Sequence, residues 1–223
     1  MTTLIFVRHA LSEDNVLGLC SGQSNTSLSE RGFEQARLLG AFLKQSEYPI
    51  EAIYASDLIR TSQTAQPTAD ALGLPIETDP RLREVCTGEW EGRYWDDVQA
   101  ESPEMYLAWL NITVGINDPI PKGAEHHNVV LERVLAALDQ IVSENRGKCV
   151  LIVCHARMLR ILTEKFWCVQ NESVREILAK RPEQGFHSAS VTVVEYDDDG
   201  RFSEMLLCDY RDFLNENSKA ARE

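Results

Sequence analysis

Two strand-length apolar runs, each leading directly to a histidine, constrain this chain more than any other feature. Residues 4–7 (LIFV) are followed by Arg8 and His9, and residues 149–154 (CVLIVC) are followed by His155. A short, uninterrupted apolar run between polar segments is typical of a strand buried on both faces of a parallel sheet. Because the carboxyl ends of parallel strands share one edge of the sheet, we expect both histidines at that edge.

Segments with helical signals alternate with the strands. Helices are predicted from Ser27 or Ser29 onward and over residues 57–72, 125–145 and 156–167, with further strands over residues 53–55, 189–196 and 202–208. The first helix is expected to bury one apolar face, formed by four residues: Phe33, Ala36, Gly40 and Leu43. Residues from about 215 are polar and predicted to be loosely held. The alternation favours an α/β layered fold with a largely parallel sheet and an antiparallel edge strand.

The charge balance excludes several partners. The chain has 223 residues, with 22 Lys and Arg against 35 Asp and Glu, and a formal net charge of −13. Such an acid excess disfavours nucleic acid and anionic membranes, both of which require clustered basic residues. It does not exclude small phosphorylated ligands, because the charge in a pocket can be opposite in sign to that of the surface around it. No segment reads as a membrane span or signal peptide, and the six cysteines lack CxxC spacing, so we expect a cytoplasmic protein with reduced thiols.

Cationic side chains collect at the predicted edge. Arg8 and His9 follow the first strand, Arg60 lies in the first turn of the helix after the second, and His155 follows the strand at 149–154. Each alone is more typical of a structural histidine or a solvated arginine. Together, in so acidic a chain, they predict a phosphoryl-binding site, since several N–H donors are needed for phosphoryl oxygens and imidazole can attack phosphorus. Glu84, after the apolar stretch near residue 76, is expected to reach the same edge.

Ordered sequence blocks resemble the histidine phosphatase superfamily, also called the phosphoglycerate mutase-like family. Residues 4–10 are similar to its RHG motif, and residues 153–156 with Arg160 are similar to its VSHGxxxR motif. Further similar blocks lie between them, at residues 21–32, 56–65, 81–92 and 123–125. The resemblance covers nearly the whole chain. It implies a three-layer α/β/α sandwich, formed by residues 1–223 as a single domain with an irregular substrate-lid insertion at about residues 93–125.

The resemblance also implies a mechanism and a set of site residues. His9 would attack phosphorus to form a phosphohistidine, and Glu84 would protonate the leaving oxygen and later deprotonate water. Arg8, Arg60 and His155 would bind the phosphoryl oxygens. Substrate-binding positions are expected at Asn15, Ser21, Gly22, Gln23 and Ala156. No metal and no cofactor are expected, because the arginines supply the positive charge.

The chain departs from the family pattern at several positions. Ala10 and Ala156 stand where the family usually has glycine, and Arg157 replaces a second glycine. An alanine would carry a penalty if either backbone position required a positive φ. Arg157 is expected to narrow or recharge the pocket mouth. Asn25 replaces the common Asp, and Ser27 the common Pro.

Two further signals have competing interpretations. His126 and His127 could suggest a metal site, but adjacent helical residues point about 100° apart and make poor joint ligands. A second group consists of four aromatic residues that form either a substrate-facing lid or a hydrophobic cluster beneath a long loop: Trp90, Trp95, Tyr106 and Trp109.

The leading functional prediction is a metal-independent phosphatase of a small phosphorylated metabolite. One alternative is a phosphoglycerate mutase, which returns the phosphoryl group to the product; the stretch from Glu84 to Gly92 resembles the phosphatase branch instead. The other is a non-catalytic binding or regulatory module, whose signature would be loss of a reacting residue, and none is lost. The sequence names neither the substrate nor the oligomeric state.

Overall fold

A six-stranded sheet forms the centre of the protein, for which a computed structural model describes residues 1–111, 119–180 and 185–214. Its strands are β1 (Thr2–Arg8), β2 (Ile50–Ala55), β3 (Ile76–Thr78), β4 (Cys149–Cys154), β5 (Val191–Tyr196) and β6 (Phe202–Tyr210), arranged in the order β3-β2-β4-β1-β5-β6. The first four run parallel, whereas β5 is antiparallel to both β1 and β6. The predicted largely parallel sheet with an antiparallel edge is confirmed, and a hairpin supplies that edge.

Helices connect these strands and cover both faces of the sheet. In the described part of the chain they are α1 (Glu13–Leu17), α2 (Glu30–Gln45), α3 (Ile59–Leu72), α4 (Trp95–Glu101), α5 (Pro103–Leu110), α6 (His127–Glu144), α7 (Ala156–Leu162), α8 (Cys168–Gln170) and α9 (Glu172–Ala179). The helix predicted at 156–167 changes after Leu162 into a π-helical turn, Thr163–Trp167. None of the described helices is both long and apolar enough to span a bilayer.

Alternate residues of the central strands point into two separate cores. Leu4 and Phe6 of β1 pack on the α6 side, and Ile5 and Val7 pack on the α2 and α3 side. A strand between two apolar layers has no solvated face, which explains why β1 and β4 read as continuous apolar runs. The predicted three-layer sandwich is confirmed.

The buried face of α2 differs from the prediction, because Phe33 is exposed while Gly32 and Leu39 are buried in addition. Ser29 caps the helix, and Ala36, Leu39, Gly40 and Leu43 are buried, but Phe33 is 47% exposed. The prediction for Phe33 is wrong because the first turn packs through Gly32. A Cβ on Gly32 would lie 2.0 Å from the Leu11 carbonyl oxygen, and this close approach leaves the adjacent residue facing outward.

The segment between β3 and α6 carries two 3₁₀ turns, Pro80–Leu82 and Gly88–Trp90, followed by α4 and α5. Trp90 and Trp109 are buried, with ring centroids 5.9 Å apart. For these two residues the hydrophobic-cluster interpretation is confirmed. Residues 112–118 of the predicted insertion, and the predicted tail from residue 215, lie outside the described residues.

Truncation of two residues of α2 tests which face of this helix is buried. We expect Leu39→Ala to lower the free energy of unfolding by about 2–5 kcal/mol, because Leu39 is fully buried. Phe33→Ala on the same helix should cost less than about 1 kcal/mol. Urea unfolding of both variants measures the difference, and equal losses would contradict the assigned face.

Candidate active site

His9 follows β1 with its ring held in one tautomer. Its Nδ1 lies 2.7 Å from the carbonyl oxygen of Ala10, which can only accept, so Nδ1 carries the proton. Nε2 is therefore left with a free lone pair. The backbone N–H of Ala10 donates to Oγ1 of Thr64, which in turn donates to the carbonyl of Arg60, and this chain of bonds ties the His9 loop to α3.

His155, which follows β4, is held in the opposite tautomer. Nη2 of Arg60 donates to Nδ1 of His155 across 3.2 Å, and because a guanidinium only donates, Nδ1 must be the acceptor. Nε2 of His155 therefore carries the proton. Within the described residues this buried N–H has no acceptor. The rings of His9 and His155 are 5.2 Å apart between centroids. A nucleophilic lone pair and an N–H donor thus stand side by side.

Arg60 is completely buried in the first turn of α3. Besides His155, its guanidinium donates to the carbonyls of Gly22 and Ser24, each at 2.7 Å. Asn25 lies in the same loop, and its Oδ1 accepts from the N–H of Ile59 at the start of α3. The departure from the family pattern at Asn25 therefore still provides a cap for the helix that carries Arg60.

Arg8 is bracketed by the segment before β5. Its guanidinium donates to the carbonyl of Phe186, and its backbone N–H donates to the carbonyl of Ser190. Ala189 donates to the carbonyls of both Arg8 and His9 and adopts φ +58°, a conformation that is uncommon for a residue with a side chain. Backbone strain of this kind often occurs at functional sites.

Burial and neighbouring positive charge both act on the two histidines. Burial lowers the pKa of His9 well below its usual 6.5, and the charges of Arg60 and Arg8 lower it further. Burial and then Arg60 lower the pKa of His155 in the same way. Both rings are therefore neutral at neutral pH, as the two assigned tautomers require.

The loop formed by Ser21, Gly22 and Gln23 contacts the site through its own backbone, since the Gly22 carbonyl accepts from Arg60. Gly22 is needed there, because a Cβ would lie 2.5 Å from the Val85 carbonyl oxygen. Nε2 of Gln23 donates to the carbonyl of Glu84, so this side chain contacts the protein's own backbone. Ser21 is half-buried in the same loop.

Asn15 lies in α1, six residues after His9 in the sequence. Its side-chain oxygen accepts from the backbone N–H of Ser12, and its own N–H donates to the Ser12 hydroxyl. This capping box occupies the side-chain oxygen of Asn15. The side-chain NH₂ group is left as the donor that could bind a substrate.

Glu84 is anchored at the start of α7, the helix that follows His155. Oε1 accepts from the N–H of Met158 at 2.9 Å, and Oε2 accepts from the N–H of Arg157 at 3.0 Å. The first N–H groups of a helix have no partners within it, and His155 provides no side-chain cap. The Glu84 carboxylate fills that role and is thereby placed beside the second histidine.

The replaced glycines impose no conformational penalty. Neither Ala10 nor Ala156 is among the described residues with positive φ, which besides glycines are Ala189 and Asp209. Ala156 is the first residue of α7. The Arg157 side chain lies over the Trp109 ring, with the guanidinium carbon 4.7 Å from the ring centroid, and it also donates to the Trp109 carbonyl. It thus joins α5 to α7.

The two adjacent histidines contact different parts of the protein. His126 is the N-cap of α6, and its Nδ1 accepts from the N–H of Asn128, while buried His127 packs against Trp109. Among the described residues, no three His, Cys, Asp or Glu side chains are grouped so that they could hold a metal.

A family model for the histidine phosphatase superfamily (branch 1) matches residues 4–208. The chain belongs to this superfamily. A metal-independent phosphoserine phosphatase of Arabidopsis thaliana is 33% identical over 164 residues, which cover 73% of this chain and 67% of the relative. A "Probable phosphoglycerate mutase GpmB" of Erwinia tasmaniensis is 35% identical over 162 residues, 73% of each chain. The solved structure of Bacillus stearothermophilus YhfR is 29% identical, with a TM-score of 0.81 and coverage of 96% of this chain and all of the other.

The structure thus brings together the residues that the sequence predicts to react: Arg8, His9, Arg60, Glu84 and His155. The partners that orient them carry no signal of this role in the sequence. Thr64 lies within the block at residues 56–65, and Ala189 begins a predicted strand. The signals for their roles are hydrogen bonds between distant segments, which no local sequence pattern contains.

The low pKa values of the buried histidines predict a stability that depends on pH. Below pH 6.5 the two histidines are protonated in the unfolded chain but stay neutral in the folded protein. The free energy of unfolding should therefore fall as the pH drops through this value. Each histidine contributes a slope of up to about 1.4 kcal/mol per pH unit. Urea unfolding between about pH 7 and 5 should show a shallower slope for His9→Gln than for the natural protein. Identical slopes would contradict a buried, neutral His9.

Proposed function

We propose that this protein hydrolyses a small phosphomonoester in two steps, through a phosphohistidine on Nε2 of His9. One observation carries the proposal: the His9 ring, with a lone pair on Nε2, and the His155 ring, with an N–H there, lie 5.2 Å apart beside buried Arg60 and half-buried Arg8. A lone pair suits attack on phosphorus, and the N–H and guanidinium groups suit the oxygens that surround it.

In the first step, Nε2 of His9 forms a bond to phosphorus as the bond from phosphorus to the ester oxygen breaks. Arg8, Arg60 and the His155 N–H oppose the negative charge on the phosphoryl oxygens in the transition state. Glu84, in its protonated form, gives its proton to the departing oxygen, so that an alcohol leaves. Asn15, Ser21, Gly22, Gln23 and Ala156 remain the proposed lining of the substrate site.

In the second step, water replaces His9 on phosphorus. Glu84, now a carboxylate, takes a proton from the attacking water, and the bond between phosphorus and Nε2 breaks to release inorganic phosphate. The anchoring of this carboxylate by the N–H groups of Arg157 and Met158 supports a fixed position in both steps. The two steps require no metal ion.

The substrate class we propose is a small phosphorylated metabolite, with phosphoserine as the first candidate because a relative carries that name. The second candidate activity is that of a phosphoglycerate mutase, since another relative carries that name. The net charge of −13 disfavours long polyanions such as nucleic acid. A single domain with a substrate lid near residues 93–125, and a cytoplasmic location, stay predictions.

Phosphate release with chelator present tests the proposed activity. The natural protein should liberate inorganic phosphate from an aryl phosphate, and His9→Ala should reduce release to the uncatalysed background because the nucleophile is absent. His126→Asn, which keeps a cap for α6, is the matched histidine control and should retain full activity.

The same preparations are then supplied with phosphoserine and with 3-phosphoglycerate. Conversion of 3-phosphoglycerate to its isomer without phosphate release would favour the mutase. Turnover that survives in His9→Ala would contradict the proposed nucleophile.

Replacement of Glu84 tests the proposed acid. Glu84→Gln keeps the shape of the side chain but cannot donate a carboxyl proton, so kcat/KM for an alkyl phosphate should fall by about 10²–10⁴-fold. p-Nitrophenyl phosphate, whose leaving group needs little protonation, should be affected far less. Equal losses on both esters would show that Glu84 is not the acid.

A further inference from the structure

The segment that carries Glu84 has no regular secondary structure of its own. It lies between the 3₁₀ turns Pro80–Leu82 and Gly88–Trp90, outside every strand of the sheet. Among the described residues, no ladder of strand hydrogen bonds therefore fixes the backbone at Glu84. A general acid must hold its position closely to act in the transition state, so other contacts have to supply that rigidity.

One arginine on α6 donates to three backbone carbonyls in and next to this segment. Nη1 of Arg133 donates to the carbonyls of Arg81 and Arg83, at 2.6 and 2.8 Å, and Nη2 donates to the carbonyl of Glu84 at 3.1 Å. The remaining N–H groups form a two-pronged ion pair with Glu125, at 2.7 and 2.8 Å. All five donors of this guanidinium are used.

Glu125 holds the same segment from its other end. Its backbone N–H donates to the carbonyl of Cys86 at 2.9 Å, and its Oε2 accepts from the backbone N–H of Cys86 at 3.3 Å. The side chains of Glu125 and Arg133 are each only 17% exposed, so the pair is poorly screened by solvent. The backbone around Glu84 is therefore clamped on both sides by one ion pair.

We propose that Arg133 and Glu125 form a positioning pair that fixes Glu84 for proton transfer in the proposed reaction. Neither residue needs to touch the substrate. Arg133 holds the Glu84 backbone from the α6 side, while the carboxylate is held by the start of α7. The Glu125–Arg133 pair thus connects α6 to the acid. This inference rests on the proposed function.

Leaving-group dependence separates positioning of the acid from general support of the fold. We expect Arg133→Met to lower kcat/KM for an alkyl phosphate by about 10-fold or more, a share of the 10²–10⁴-fold that general acid catalysis supplies. For p-nitrophenyl phosphate the loss should stay below about 3-fold, because that ester needs little proton donation. kcat/KM is the quantity to measure, since it excludes the later hydrolysis of the phosphoenzyme.

Arg81→Met provides the matched control. The Arg81 side chain also joins this segment to α6, through Gln140 and the carbonyl of Ala136, and it pairs with Asp79. It makes no contact with residues 83–86 among the described bonds. We expect this variant to lose some stability and to keep the natural ratio of the two kcat/KM values. A similar change of the ratio in Arg81→Met would overturn the proposal.

A double-mutant cycle with Glu84→Gln completes the test. If Arg133 acts through the acid, then Arg133→Met should add less than about 2-fold to the loss already caused by Glu84→Gln on the alkyl phosphate. Full additivity, or equal losses on both esters, would overturn the proposal. If Arg133→Met does not fold, Glu125→Gln is measured instead: a selective loss on the alkyl phosphate supports the pair, and an equal loss rejects it. Absence of any turnover by the natural protein would reject the proposed function itself.

Discussion

The hydrogen bond from Arg60 to Nδ1 of His155 is the interaction on which the chemistry of the site depends. It joins the helix after β2 to the end of β4 in a fully buried space, and it forces the proton of His155 onto Nε2. The bond from His9 to the Ala10 carbonyl fixes the opposite arrangement on the neighbouring ring. Two chemically identical side chains therefore differ at Nε2: His9 has a lone pair there, and His155 has an N–H donor. The parallel sheet makes this possible, because it brings three strand ends to one edge.

Burial explains how an acidic protein can be suited to an anionic ligand. The net charge of −13 is spread over the chain, whereas Arg8, Arg60 and the two histidines are collected at the sheet edge. Burial first, and then the neighbouring positive charge, lowers the pKa of both imidazoles and keeps them neutral. The arginines supply positive charge while the His9 ring beside them stays neutral. The backbone carbonyls of Gly22, Ser24 and Phe186 hold those guanidiniums without adding a counter-charge.

The layered fold could be predicted from the sequence because apolar runs buried on both faces, such as residues 149–154, carry a clear signal. The position of His9 and His155 at one sheet edge could be predicted because each follows such a run. Phe33 shows the limit of periodicity: helical spacing alone does not reveal that neighbouring Gly32 makes the close contact. The residues that orient the site could not be predicted from the sequence for another reason. Arg133 binds carbonyls about 50 residues away in sequence, and backbone carbonyls are the same in every residue. Only the folded chain brings these groups together.

The central claim is that Nε2 of His9 becomes covalently bonded to phosphorus during turnover. Rapid acid-free quenching of the protein with a ³²P-labelled phosphomonoester, followed by peptide mapping, tests it most directly. The account predicts a label on the peptide that contains His9, lost in acid and stable in base, formed and consumed at the rate of turnover and absent from His9→Ala. Label on a different residue, or full turnover with no labelled protein at any time, would contradict the account.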